Sequence, residues 1–163
     1  LGVLGPAQSK SLMGGAGPWA AILTAEALGT VIGVVVAVRI RPNRPILVAM
    51  LVTPVFAIPF GLMAIPTALW LIVVAAFFAG VAVTVFSVLW ETALQRNVPE
   101  ESLSRVSAYD WLGSSMLSPI GIALAAPLAL TIGVGAALWV CFGLILVPVL
   151  LSLVDPSVRR LRA

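Results

Sequence analysis

Five long apolar stretches make up most of this chain, and short segments that hold most of its charged residues separate them. Each stretch approaches the ~20 residues that a helix needs to cross the ~30 Å hydrocarbon core of a bilayer. The stretches cover residues 18–38, 46–66, 68–92, 106–132 and 135–154. The pattern therefore predicts an all-α, polytopic membrane protein with five transmembrane helices in one bundle over residues 1–163.

The connecting segments carry signals that end one helix and begin the next. Residues 1–5 predict the tail of a sixth helix, and the segment 8–17, rich in Gly and Ser, predicts a flexible loop. Pro99 predicts a helix end, because proline lacks the N–H that a helix interior requires. Ser102 then predicts the N-terminal cap of the next helix.

The composition indicates that the bilayer is the chain's environment. Hydrophobic residues make up 61% and charged residues 9% of the sequence, and the mean hydropathy is +1.18. A soluble domain is about 25% charged, so this chain could not cover its own surface in water. The net charge of +3 comes from arginines beside apolar spans. We therefore attribute that charge to membrane topology and predict no nucleic-acid partner.

The positive charges fall almost entirely into alternate connecting segments. If the segment after the first stretch is cytoplasmic, eight arginines lie inside and only Lys10 lies outside. The eight are Arg39, Arg41, Arg44, Arg96, Arg105, Arg159, Arg160 and Arg162. Because short cytoplasmic loops are enriched in Lys and Arg, the distribution predicts a cytoplasmic C-terminus.

The sequence lacks the residue patterns that enzyme or metal chemistry needs. It contains no His, no Gly-rich phosphate-binding motif and no acidic pair at metal-ligand spacing. Ser114 and Ser115 have no adjacent base that could activate a hydroxyl group. We predict no enzymatic activity, no catalytic residue, no metal and no cofactor.

Glu26 lies about eight residues into the first stretch, near the membrane midplane. An ionised carboxylate at that depth costs at least ~2.5–3.5 kcal/mol, and such residues usually face a bundle interior or a wet cavity. Glu26 shares a helical face with Ile22, Gly29, Thr30 and Gly33. Two interpretations remain open. The residue either handles a proton or a substrate cation, or it is a protonated side chain hydrogen-bonded to a neighbouring helix.

A polar stripe runs along the third stretch. Gly80, Thr84, Ser87, Glu91 and Gln95 recur at helical spacing and therefore share one face. Thr84 and Ser87 are candidates for lining a cavity, although such hydroxyls also bond to their own helix backbone. Both interpretations remain open.

Small residues at helical spacing predict close contacts between helices. Gly29 and Gly33 form a GxxxG pattern in the first stretch, and Gly113 and Gly121 share a small, polar face of the fourth. Without a side chain, each glycine lets a neighbouring backbone approach closely.

Four charged residues cluster at the predicted cytoplasmic ends of the third and fourth helices. They are Glu91, Arg96, Arg105 and Asp110. Opposite charges at this place could form pairs that exist in one access state and break in the other, as a gate. They could equally form a static network that holds the helix ends together, and the sequence leaves both interpretations open.

Two motifs at these helix ends resemble a known family. The first is W-x-T-x-x-Q-x-x-V-P at residues 90–99, and the second is S-R-V-S-x-x-D-W-x-G-S at residues 104–114. Together they resemble the segment that joins the tenth and eleventh helices in the drug-exporter-type branch of the major facilitator superfamily. The chain departs from the family's loop pattern after Gly33, where residues 34–38 contain no acidic residue before Arg39.

The resemblance implies that the chain runs from the end of the seventh helix through the twelfth, and that an N-terminal half is absent from this sequence. Members of that branch include siderophore and macrolide exporters of bacterial inner membranes. The resemblance thus implies a secondary transporter that exports small amphipathic organic molecules in exchange for protons. Such a transporter would bind its substrate at the midplane between the two halves.

Two alternatives share the predicted architecture. An uptake permease would have every feature described above, and only the direction of transport would distinguish it. A non-transporting membrane scaffold or sensor would also have five spans, but it would have little reason to carry Glu26 at the midplane. The sequence does not specify the substrate, the coupling ion or the oligomeric state.

Overall fold

The computed structural model describes residues 3–40, 42 and 45–154, apart from the side chains of Leu12 and Leu153. Six helices and no strand occur in this part of the chain. They are α1 (Leu4–Leu12), α2 (Ala16–Arg39), α3 (Pro45–Met63), α4 (Leu69–Asn97), α5 (Glu100–Ile132) and α6 (Val134–Val154). Five residues of the orientation prediction lie outside the described residues, namely Arg41, Arg44, Arg159, Arg160 and Arg162.

The five long helices confirm the five predicted spans. Helices α2 to α6 are each long and apolar enough to cross a bilayer. At most 33% of the most apolar window of any of them is buried within the protein. Apolar side chains that the fold leaves outside need a hydrocarbon environment, so the chain is a membrane-embedded, multi-pass protein.

The junction between α4 and α5 is tighter than the apolar pattern predicts. Helix α4 continues to Asn97 and α5 already begins at Glu100, with extended backbone at Val98 and Pro99 between them. The polar ends of both helices extend beyond their apolar stretches, where hydropathy carries no signal. The predicted cap at Ser102 is wrong, because Ser102 lies inside the first turn and its backbone N–H donates to the Pro99 carbonyl at 2.9 Å.

The prediction of a flexible loop over residues 8–17 is wrong in its first half. Helix α1 extends through Leu12, and both Gln8 and Ser9 are buried. Gln8 Nε2 donates to the Met63 carbonyl at the end of α3, at 2.9 Å, and Ser9 Oγ donates to the Gly15 carbonyl at 2.8 Å. Polar residues that suggested a loop are thus the anchors that hold α1 on the bundle.

The hydrogen bond from Gln8 gives a direct test of this anchoring. Replacing Gln8 with methionine keeps the side-chain volume but leaves the buried Met63 carbonyl without this donor. We expect the free energy of unfolding to fall by about 1–3 kcal/mol. The matched control, Lys10→Met, changes an exposed residue of the same helix and should have little effect. Equal losses in SDS unfolding titrations of the two variants would contradict the anchoring role.

Packing in the bundle is uneven. Helix α4 packs closely on both α2 and α3, and α3 also packs on α6. One apolar cluster, which includes Ile22, Met63, Ile72 and Leu138, joins α2, α3, α4 and α6. Helix α5 contacts its neighbours sparsely, and none of its 33 residues is buried. The fold is therefore a compact group of helices with α5 standing beside it.

Candidate functional site

Helices α2 and α4 touch backbone to backbone at three glycines. A Cβ atom on Gly29 would collide with the Phe77 carbonyl, and one on Gly80 would collide with the Glu26 carbonyl. A Cβ on Gly33 would lie 2.8 Å from the Thr84 Cβ. The contacts advance along both helices in the same direction, so the two helices run parallel. Gly29 and Gly33 thus lie at the helix contact that the GxxxG spacing favours.

Glu26 lies beside this crossing, near the middle of the membrane-spanning helix. It follows the first residue of the 24-residue α2 by ten positions, about 15 Å along the axis. Its backbone packs against Gly80, and the residue as a whole is half-buried. Ile22, Gly29 and Gly33, which share its predicted face, are buried. The crossing therefore holds the Glu26 backbone against α4 at mid-membrane depth.

The two hydroxyl candidates both donate to backbone carbonyls. Thr84 Oγ1 lies 3.1 Å from the Gly80 carbonyl and 3.3 Å from the Thr30 carbonyl, so it links α4 to α2. Ser87 Oγ donates to the Val83 carbonyl of its own helix at 3.0 Å. Ser87 also lines two cavities, whereas Thr84 belongs to the α2–α4 contact.

A groove separates the last turns of α4 from the first turns of α5. It contains two adjoining cavities of ≈ 490 Å³ and ≈ 320 Å³, and both are lined by Glu91 and Asp110. Trp111 completes the wall of the larger cavity, and Trp90 that of the smaller one. We call this feature, defined by Glu91, Asp110, Trp90 and Trp111, the acidic groove.

A hydrogen bond and an aromatic stack order one wall of the acidic groove. Trp90 Nε1 donates to Asp110 Oδ2 at 3.2 Å, which joins α4 to α5. The Trp90 ring also stacks on Phe86 one turn earlier, with centroids 6.1 Å apart and planes inclined by 8°. The indole is thus fixed by a polar contact on one side and an apolar contact on the other.

The four predicted gate residues occupy neighbouring but different positions. Glu91 and Asp110 face the acidic groove. Arg96 and Arg105 are exposed, and neither is among the described residues that line its two cavities. The interhelical contact of Asp110 seen here is with Trp90. Pairing between these carboxylates and arginines stays a prediction for another conformation.

The predicted polar stripe of α4 serves two purposes in the fold. Its first part, Gly80 and Thr84, packs against α2. Its last part, Ser87, Glu91 and Gln95, lines the cavities near α5. Glu91 follows Gly80 by eleven residues, so the acidic groove lies about 16 Å along α4 from the contact with Glu26. Glu26 and the acidic groove are therefore separate features.

Sequence reasoning missed the two tryptophans as site residues. Trp90 and Trp111 each stand next to a candidate carboxylate in the chain, and both belong to the motifs that suggested a family. Their positions beside Glu91 and Asp110 were the available signal. Gly113 and Gly121 of α5 lie in open space, since a Cβ on either would meet no atom of the described residues within 4 Å. A helix contact at these two positions stays a prediction.

Comparison with known proteins leaves these features to be interpreted by their own chemistry. No protein-family model, curated protein or solved structure matches the chain.

Proposed function

We propose that the chain is the C-terminal half of a secondary transporter of the drug-exporter-type branch of the major facilitator superfamily. It exports small amphipathic organic molecules across a bacterial inner membrane, in exchange for protons and by alternating access. The observation that carries the proposal is the half-buried Glu26 at mid-membrane depth beside a glycine crossing. A carboxylate is costly at that depth, so a role in moving protons or cations accounts for its presence.

The exposure of α5 supports the presence of a second group of helices. Its Asp110 and Ser114 would meet lipid, together with the open small positions at Gly113 and Gly121, if nothing covered them. Polar and small residues of membrane helices usually face other helices or water-filled paths. In the proposed transporter, this surface faces the N-terminal half of the same protein, and the substrate path runs between the halves.

The charged residues at the predicted cytoplasmic ends of α4 and α5 suit a gate. Glu91 and Asp110 lie on facing sides of an open groove, and Arg96 and Arg105 lie on the same two helix ends. A modest approach of the helices would bring opposite charges together and close the groove. Thr84 and Ser87 lie between this end and Glu26, where a substrate would pass in the proposed mechanism.

Transport in inverted membrane vesicles tests the proposal. The full-length protein is expressed, and respiration acidifies the vesicle interior. We expect a pH-gradient-dependent accumulation of at least one of two amphipathic dyes, the cation ethidium and the uncharged N-phenylnaphthylamine. Vesicles without the protein, and vesicles treated with a protonophore, serve as controls. Movement in the opposite direction would indicate the uptake permease, and no protein-dependent movement of either dye would refute the transporter.

A further inference from the structure

The chemistry of the acidic groove is unusual for a gap between two helices. Two carboxylates, Glu91 and Asp110, line both of its cavities, and an indole ring completes each wall. No Lys or Arg among the described residues lines either cavity. Because both carboxylates are ionised in contact with water at neutral pH, the groove presents two negative charges without a lining cation.

The rings add to the attraction for one kind of ligand. Indole has the most favourable aromatic face for a cation, and the interaction contributes about 0.5–1 kcal/mol at exposed sites. Trp111 is 72% exposed, so its ring is available to a ligand, while Trp90 is held by Phe86 and Asp110. Carboxylates beside indoles attract organic cations and repel anions.

An apolar cavity continues from the acidic groove along α4. This third cavity, of ≈ 230 Å³, shares Phe86 and Ser87 with the groove and is otherwise lined by Thr53, Phe56, Ala82 and Val83. From Glu91 to Ala82 is nine residues, about 14 Å along the helix. A charged end and an apolar end are therefore separated by roughly the length of a small amphiphile.

We infer that the acidic groove and this apolar cavity together bind an amphiphilic organic cation. The positive group lies between Glu91 and Asp110 and contacts the indole of Trp111. The apolar body extends past Phe86 towards Phe56 and Ala82. The inference names a substrate class, and its role in transport rests on the proposed function. Binding itself does not depend on transport.

Equilibrium dialysis of the full-length protein in dodecyl maltoside, with radiolabelled tetraphenylphosphonium, tests the site. Tetraphenylborate has the same shape and the opposite charge, and tetramethylammonium has the charge without the apolar body. We expect saturable binding of tetraphenylphosphonium, with both other ions at least about a hundredfold weaker. Tetraphenylborate binding as tightly as tetraphenylphosphonium would show an apolar surface without charge selection and would overturn the inference.

Substitutions locate the site. Glu91→Gln and Asp110→Asn should each weaken tetraphenylphosphonium binding about tenfold, because each removes one charge beside the ligand. Asn at 110 retains an oxygen that can accept from Trp90 Nε1, so the α4–α5 contact is preserved. Trp111→Leu should weaken binding about threefold. Glu100→Gln, at an exposed residue that lines neither cavity of the groove, is the matched control and should leave binding unchanged.

Two further results separate the source of the cation and the role of the site. If phosphatidylethanolamine added to the micelles displaces the probe and phosphatidylglycerol does not, the occupant is a lipid ammonium group; if neither lipid displaces it, the occupant is a free amphiphile. Either result supports a cation site. A protein that binds the probe but moves no dye in vesicles refutes only the proposed function. Absence of saturable binding, or equal binding by the Glu91→Gln, Asp110→Asn and Glu100→Gln variants, overturns the inference.

Discussion

Replacing Gly80 with valine is expected to cost about 3 kcal/mol of stability or more and to push α2 and α4 apart. A Cβ at this position collides with the Glu26 carbonyl and lies 2.9 Å from the Thr30 backbone nitrogen. Both obstacles are backbone atoms of a helix, which cannot rotate away as a side chain can. Relief therefore requires the helices to separate, with loss of the contacts at Gly29 and Gly33.

The measurement is an SDS unfolding titration of the protein in mixed micelles, followed by circular dichroism. Gly143→Val is the matched control, because it makes the same substitution inside α6 where a Cβ would meet no described atom within 4 Å. Helix propensity and side-chain entropy change alike in the two variants, so their difference reports the crossing. Equal losses of stability would show that the α2–α4 contact is softer than its geometry indicates.

Replacing Glu26 with glutamine is expected to reduce pH-gradient-driven transport to the level of protein-free vesicles. Glutamine has nearly the same size and can hydrogen-bond, but it cannot release a proton. The half-buried position beside Gly80 is retained, so the fold should be unaffected. Glu100→Gln removes the same charge from an exposed position at the start of α5 and should transport normally.

The Glu26→Gln variant should still bind tetraphenylphosphonium with unchanged affinity. Its position lies about 16 Å along α4 from the acidic groove, a separation beyond the ~8 Å screening length at physiological salt. Loss of transport with preserved cation binding would assign Glu26 to coupling rather than to ligand capture. Unchanged gradient-driven transport would show that Glu26 is a structural residue, the second of the two interpretations that the sequence leaves open.

The position of most of the fold could be predicted, because hydrophobic length is a local property. Spans predicted at 18–38 and 135–154 correspond to α2 (Ala16–Arg39) and α6 (Val134–Val154). The prediction was poorest where a segment is polar but packed. Gln8 and Ser9 suggested a loop, yet both are buried in a helix, since their partners, Met63 and Gly15, come from other parts of the fold.

The candidate site divides in the same way. The sequence by itself determined that the protein has five membrane-crossing helices, a carboxylate near mid-membrane and a polar stripe on α4, since helical periodicity and bilayer thickness act on neighbouring residues. Only the tertiary structure decided which helices meet. It brings Gly80 against the Glu26 carbonyl, turns Glu91 and Asp110 towards one groove and leaves α5 without a buried residue. Each of these depends on the packing of distant segments, which no local pattern of hydrophobicity contains.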